Sequence, residues 1–198
     1  MNLPNKLTVI RIILVPIMVL FAYIPIGGDV LGIPVPMLIM ETIFIIASIT
    51  DKLDGYLARK NNQVTTFGKF LDPLADKILV LAAMVVLVEK MKIPAWIPII
   101  VLTREFIVSG FRLVAVEAGG KVIAASVWGK LKTVTQMIAL IFAFIDVGYF
   151  FQFVNGSLNG YQIVINIISS VMLAISVVAT IFSGWDYLRG GKDLLKDK

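Results

Sequence analysis

The chain reads as an all-α integral membrane protein of six transmembrane helices, with a short N-terminal interfacial helix ahead of the first and both termini cytoplasmic. Three observations predict this. Of the 198 residues, 59% are hydrophobic and the mean hydropathy is +0.93, well above the roughly 45–50% apolar share of soluble domains. The apolar residues fall into six runs punctuated by Gly, Pro and charge. The basic residues gather on one side of those runs, as the positive-inside bias requires.

Taken in order, Asn2 to Arg11 is expected to form the interfacial piece, because Lys6 and Arg11 interrupt it ahead of the first long apolar run. Spans are expected at about Ile12 to Ile26, Pro36 to Thr50, Phe70 to Val88, Pro94 to Val116, Leu131 to Val147 and Tyr161 to Phe182. A crossing takes about 20 residues, so the two shortest runs should extend into polar flanks, the second running on through Asp51 to Arg59. No small-residue cleavage site follows the first run, which is therefore read as a retained span rather than a leader. With the N-terminus inside, only Lys90 and Lys92 fall on the outer side. Lys6, Arg11, Arg59, Lys60, Lys69, Arg112, Lys121, Lys130, Lys132, Arg189, Lys192, Lys196 and Lys198 all lie on or near the cytoplasmic face. Asn155 to Gly160 reads as a turn-rich outer loop. There is no repeat, low-complexity segment or long linker, so residues 1–198 are expected to be one domain.

The chain contains no Cys and no His. That removes thiolate nucleophiles, disulfides and imidazole acid–base chemistry, leaving carboxylates, Lys, Arg and hydroxyls to do any work. The net charge of +5 is read as a basic membrane face against anionic lipid, with no nucleic-acid partner.

Asp51, Asp54, Asp72 and Asp76 lie within 26 positions of a chain whose acids number thirteen. Residues three or four apart share a helix face. Asp51 and Asp54 should therefore point together from the end of the second span, and Asp72 and Asp76 from the start of the third, the two pairs meeting across a short cytoplasmic turn. Carboxylates so placed repel unless cations sit between them. All-oxygen ligation selects hard ions such as Mg2+ or Mn2+, and two pairs suggest a two-metal site that clamps phosphates. Gly55, Ala58 and Gly68 remove bulk on that face, while Arg59 offers a cationic fork. The plain alternative is a solvated rim in which the Asp residues pair with Lys52, Arg59, Lys60, Lys69 and Lys77. It accounts for any one Asp but not for the small residues in register with all four.

A second cationic group is formed by Arg104, Arg112, Lys130 and Lys132. Arg104 follows the apolar run Ile99 to Leu102 and should face a cavity, whereas the other three also suit snorkelling anchors. Adjacent helical residues point about 100° apart, so Glu105 is not expected to pair with Arg104. Trp96, Trp128 and Trp185 read as interfacial belts. Glu41 is an unassigned carboxylate within an apolar span.

The pattern Asp-x2-Asp-Gly-x2-Ala-Arg-x8-Gly-x3-Asp-x3-Asp, met here by Asp51, Asp54, Gly55, Ala58, Arg59, Gly68, Asp72 and Asp76, resembles the signature of the CDP-alcohol phosphotransferases at every defined position. Asn2 to Arg11, Phe70 to Lys77, Thr103 to Glu105 and Gly129 to Thr133 look like segments of bacterial members whose acceptor is glycerol 3-phosphate. The resemblance implies transfer of a phosphatidyl group from CDP-diacylglycerol to sn-glycerol 3-phosphate, with release of CMP. It also implies a homodimer in the bacterial inner membrane, its site facing the cytoplasm and open to lipid. By the same resemblance, Asp51, Asp54 and Asp72 hold two divalent cations and Asp76 is a ligand or the general base. Gly55, Ala58, Arg59 and Gly68 line the CMP moiety, with Asn5, Thr8 and Arg11 near it, and the second cationic group takes the acceptor's phosphate.

Serine, inositol phosphate or phosphatidylglycerol as acceptor is the alternative within the family. A small ion transporter calls for carboxylates near the midplane and broken helices in matching halves, but the acids sit at one face and no halves correspond. A purely structural scaffold leaves the Asp array without a cause.

Overall fold

Asn2 opens the first helix by accepting the Asn5 N–H on its side chain, and a Pro in the first turn gives up only a donor that has no intrahelical partner. Helix α1 then runs unbroken over Leu3–Leu20. In the computed structural model the remaining helices are α2 (Val35–Lys60), α3 (Thr66–Glu89), α4 (Trp96–Glu117), α5 (Val127–Ile145) and α6 (Tyr161–Gly190). The structure describes residues 2–60, 65–117 and 127–190; the side chains of 3, 4, 52–59, 66, 67, 69, 70 and 115–117 lie outside the description. Asp54, Gly55, Ala58 and Arg59 of the expected site fall outside the description, as do Lys69, Lys121, Lys192, Lys196 and Lys198 of the basic face.

The short interfacial helix expected before the first span is not a separate element. No break occurs near Arg11, because that side chain is wholly buried and donates to Asp51 Oδ1 at 2.6 Å instead of lying among headgroups. The first helix also stops at Leu20, short of Ile26, and the chain turns through Phe21 to Ile24. The second helix does continue through Asp51 to Lys60.

Two small elements escape a reading by periodicity. Strands β1 (Asp29–Val30) and β2 (Ile33–Pro34) pair antiparallel across Leu31 and Gly32, both at positive φ, the backbone that a two-residue hairpin of primed type requires. Asp29 accepts the Gly32 N–H at 3.0 Å, and the Tyr161 hydroxyl donates to the Leu31 carbonyl. A 3-10 turn covers Gln152–Asn155.

Helix α6 packs most extensively on α5, and its buried and exposed faces reverse those of a soluble helix. Asn166, Ser169, Ser170, Ser176, Thr180 and Ser183 are buried, whereas Val164, Ile167, Val171, Val178, Ile181 and Phe182 are exposed. Apolar side chains outward and small polar ones inward is the pattern expected where lipid is the solvent. There, close approach through small residues and interhelical hydrogen bonds replaces hydrophobic driving force. By length and composition α5 and α6 are apolar enough to cross a membrane. The apolar core between α1, α2, α3 and α5 centres on Met18, Met40, Leu87 and the tilted pair Phe44 and Phe144, whose rings lie 5.7 Å apart.

Side-chain contacts sort the bundle into two ends. At one end Arg11 meets Asp51, Thr8 meets Asp72, Lys132 meets Glu105 and Arg104 meets Ser183. At the other, Tyr23 donates to Glu89 at 2.6 Å and Lys90 to the Ala22 carbonyl at 2.6 Å. There the chain after α5 folds back on α6. Asn166 donates to Asp146 Oδ2 and to the Tyr149 carbonyl, both at 2.8 Å, and accepts the Phe153 N–H at 2.9 Å. Ser170 accepts the Phe151 N–H at 2.8 Å. Lys92 donates to the Asp146 carbonyl, and its burial pushes the ammonium below the ordinary lysine range, with the Asp146 charge opposing.

Gly148 is held inside this network. A Cβ there would stand 2.8 Å from Asn166 Nδ2 and 3.0 Å from Leu158 Cδ1, and Asn166 cannot yield without breaking its own bonds. Gly148→Ala is expected to destabilise the protein by about 1–3 kcal/mol, read as a fall of several degrees in the thermal midpoint in detergent. An unchanged midpoint refutes the packing assigned to this loop.

Candidate active site

Asn5, Thr8 and Arg11 are spaced by three, which puts them on one side of α1, and each reaches a different part of the acidic region. Thr65 caps α3, its hydroxyl accepting the Gly68 N–H at 3.0 Å while donating to Asn5 Oδ1 at 3.0 Å. One turn further along α3, Asp72 accepts the Thr8 hydroxyl at 2.7 Å. Arg11 reaches Asp51 on α2. Helix α1 therefore fixes one oxygen of each of two carboxylates that lie on different helices, α2 and α3.

At Gly68 a side chain would be crowded. A Cβ would lie 3.0 Å from Asn5 Oδ1, 3.2 Å from Thr65 Oγ1 and 3.7 Å from Asp72 Oδ2. The glycine is thus needed for close approach of α1 to the start of α3.

Asp76 sits one turn beyond Asp72, within the electrostatic reach of Asp51, Lys132, Arg11 and Glu105. It lines a cavity of about 490 Å³ between α3, α4 and α5. The lining changes character along its depth. Asp76, Lys77, Arg104, Glu105, Ser109 and Lys132 form the polar end, and Leu81, Met84, Val101, Leu102 and Met137 the apolar end.

The polar end is organised around Glu105. Its Oε1 accepts from Arg104 Nη1 at 3.0 Å and Lys132 Nζ at 2.8 Å, and Lys77 Nζ stands 3.6 Å from Oε2. Arg104 also donates to Ser183 Oγ and Lys77 to Ser109 Oγ, each at 2.5 Å. The expectation that Glu105 would not pair with Arg104 is therefore corrected. Both side chains are long enough to bend back around the helix, and Lys132, from α5, meets the same oxygen.

Of the four expected acceptor-side cations, the structure brings Arg104 and Lys132 together. Arg112 instead donates to the Tyr187 hydroxyl at 2.8 Å with its guanidinium over the ring, and Lys130 is exposed; neither lines the cavity. Lys77, Glu105 and Ser109 line the cavity without having been among the expected site residues. Lys77 and Glu105 lie in the segments that resemble the family's, and for Ser109 the sequence carried no signal. Trp128 stacks on Phe182 at 4.8 Å, Trp96 meets Phe150 edge-on and Trp185 is exposed. Glu41 is half-buried.

Among the described residues, no three acidic side chains converge closely enough to hold a metal. The donors present are nonetheless all hard oxygens, and Asp54, whose side chain is outside the description, would be needed to complete such a group.

The profile of the CDP-alcohol phosphatidyltransferase family matches residues 1–182. The chain belongs to that family. Curated relatives extend the match to the whole length. A Bacillus subtilis protein named CDP-diacylglycerol–glycerol-3-phosphate 3-phosphatidyltransferase is 43% identical, covering 98% of this chain and 97% of its own. Proteins of the same name from Haemophilus influenzae and Rickettsia bellii are 41% and 36% identical, covering 99% and 96% of this chain and 96% of each relative. Members of the family are membrane proteins that depend on divalent cations.

Thr8→Val preserves shape and removes the bond to Asp72. Hydrogen bonds to charged acceptors contribute about 1.5–3 kcal/mol, less where water competes, so a loss of about 1 kcal/mol in unfolding free energy is expected. A variant as stable as the parent in denaturant titration contradicts the tie between α1 and α3.

Proposed function

We propose that this chain transfers the phosphatidyl group from CDP-diacylglycerol to sn-glycerol 3-phosphate, giving phosphatidylglycerophosphate and CMP. It does so as a homodimer in the bacterial inner membrane, each chain one domain crossing six times with both termini and the active site cytoplasmic. One observation carries the reading: in a chain related over its full length to proteins of that name, Asp76 shares a cavity wall with Arg104 and Lys132.

In this mechanism Gly55, Ala58, Arg59 and Gly68 accommodate the CMP moiety, and Asn5, Thr8 and Arg11 orient the array beside it. The lipid's acyl tails remain in the bilayer. Asp51, Asp54, Asp72 and Asp76 would hold two divalent cations, Mg2+ or Mn2+, which when bound neutralise charge on the diphosphate oxygens. Arg104 and Lys132, joined by Lys77, bind the acceptor's phosphate and orient its 1-hydroxyl; Arg112 and Lys130 add to the positive field at the cytoplasmic face. Asp76 accepts the proton of that hydroxyl as the oxygen bonds to the lipid-proximal phosphorus. The bond from that phosphorus to CMP breaks, and CMP leaves with the electron pair. Positioning and charge neutralisation provide most of the catalysis expected for such a transfer. An acceptor without a phosphomonoester leaves the three cations unmatched, which disfavours serine.

The test is CMP release by the purified, detergent-solubilised protein with CDP-diacylglycerol and Mg2+ or Mn2+, comparing glycerol 3-phosphate with serine, inositol phosphate and phosphatidylglycerol. Release with glycerol 3-phosphate alone is expected, and release with another acceptor instead overturns the assignment. Asp76→Asn should lower kcat by about 10²–10⁴-fold, the usual worth of a general base, while Asp72→Asn should abolish turnover at any added metal concentration. Full activity in either variant removes that residue from the mechanism.

A further inference from the structure

Glu105 is a carboxylate that neither the metal array nor the transfer step uses. Three cations converge on it: Arg104 and Lys132 on Oε1 at 3.0 and 2.8 Å, and Lys77 at 3.6 Å from Oε2. Each arm is also braced. Arg104 is held by Ser183 and packs its guanidinium over Tyr187, Lys77 is held by Ser109, and Lys132 is itself buried. Arg104 Nε is buried without a partner among the described residues, so the guanidinium keeps a donor in reserve. All four charged groups line the one cavity, beside Asp76.

We propose that Glu105 is a positioning residue that gathers these cations and trims their charge to suit a phosphomonoester dianion. This rests on the reading of the cavity as the acceptor's phosphate site. With Asp76 counted to the metal array, three positive charges against the one of Glu105 leave a surplus of two, and a phosphate monoester carries about −1.5 to −2 at pH 7. A phosphodiester carries one negative charge and a zwitterion none, so both are undermatched. Without Glu105 the surplus is three; the pocket then grips any phosphate too tightly, and the product, which keeps its phosphomonoester, leaves slowly. A purely structural Glu105 makes the opposite prediction, because slackened cations bind phosphate less well.

The test uses the full-length solubilised protein and inorganic phosphate as competitor against glycerol 3-phosphate in the CMP-release assay. Glu105→Gln, which keeps shape and removes charge, is expected to lower the inhibition constant for phosphate by about threefold or more. KM for the acceptor should fall with it, and kcat should fall as well. An inhibition constant that is unchanged or raised overturns the proposal. Glu105→Asp keeps the charge with a shorter reach, and carries the test alone if the Gln variant cannot be purified. It should hold phosphate inhibition within about twofold of the parent while lowering kcat; inhibition weakened by more than about threefold overturns the proposal. Failure of the acceptor assignment itself is seen separately, in the parent protein's choice of acceptor before any variant is made.

Discussion

The end of the bundle that holds the acids depends on the ion pair between Arg11 and Asp51. Arg11 is 0% exposed, while the Asp51 side chain is 37% exposed, so the pair is buried on its cationic side and open on its anionic side. A buried ion pair contributes little net stability, because desolvation offsets the attraction, yet removing one partner is costly. Its consequence here is geometric. It ties α1 to the end of α2 across forty residues of sequence, and that placement puts Thr8 against Asp72 and Asn5 against the cap of α3. Helix α1 is thereby a strut under the acidic region rather than a membrane anchor alone.

The two ends of the bundle solve the same problem with different chemistry. At the far end a buried amide, Asn166, and a buried hydroxyl, Ser170, satisfy backbone groups of the segment after α5, and the charged groups there, Asp146, Lys92, Glu89 and Lys90, form their hydrogen bonds with neutral partners. Irregular backbone near a membrane must find its hydrogen bonds within the protein, and α6 supplies them by turning its polar stripe inward. At the near end the buried groups are charged and paired across helices. Neutral networks rigidify, whereas charged clusters beside a cavity can exchange partners with an anionic ligand. The asymmetry between the ends therefore separates scaffold from candidate site.

Much of this was legible in the sequence because it rests on local spacing. Asp51 and Asp72 lie on helices where the three- and four-residue spacing put them, and α2 runs through Asp51 to Lys60 as its short apolar run required. What was not legible rests on contacts between distant segments. Lys6 and Arg11 read as interfacial flanks because nothing near them in sequence announces a partner; Asp51 lies forty positions on. Glu105 failed a nearest-neighbour argument about backbone direction, which ignores the reach of long side chains and a third partner from α5. Arg112 and Lys130 looked like Arg104 and Lys132 in composition, but burial sorts them, and it cannot be read from charge. Asn166 and Ser170 are polar residues within an apolar run, and nothing next to them in sequence announces the segment they bind. Their spacing of four was the one hint that a second segment would pack there.

The charge map around the cavity bears on why one fold can join two anions. Asp51, Asp72 and Asp76 form a negative region, Lys77, Arg104 and Lys132 a positive one, and Asp76 and Glu105 stand where the two adjoin. Bringing a phosphomonoester up to a diphosphate sets like charges against each other at short range, an energetic cost that grows as water is excluded. On the proposed function, opposite charge lies under each anion, so the repulsion between them is screened locally and the acceptor's hydroxyl end can cross the boundary. The proton acceptor has to stand on that boundary, within reach of the hydroxyl but anchored in the negative region. Among the described carboxylates, Asp76 and Glu105 both line the cavity. Glu105 already has Arg104 and Lys132 on one oxygen, which leaves that oxygen occupied. On the proposed function, Asp76 is the one left to take the proton.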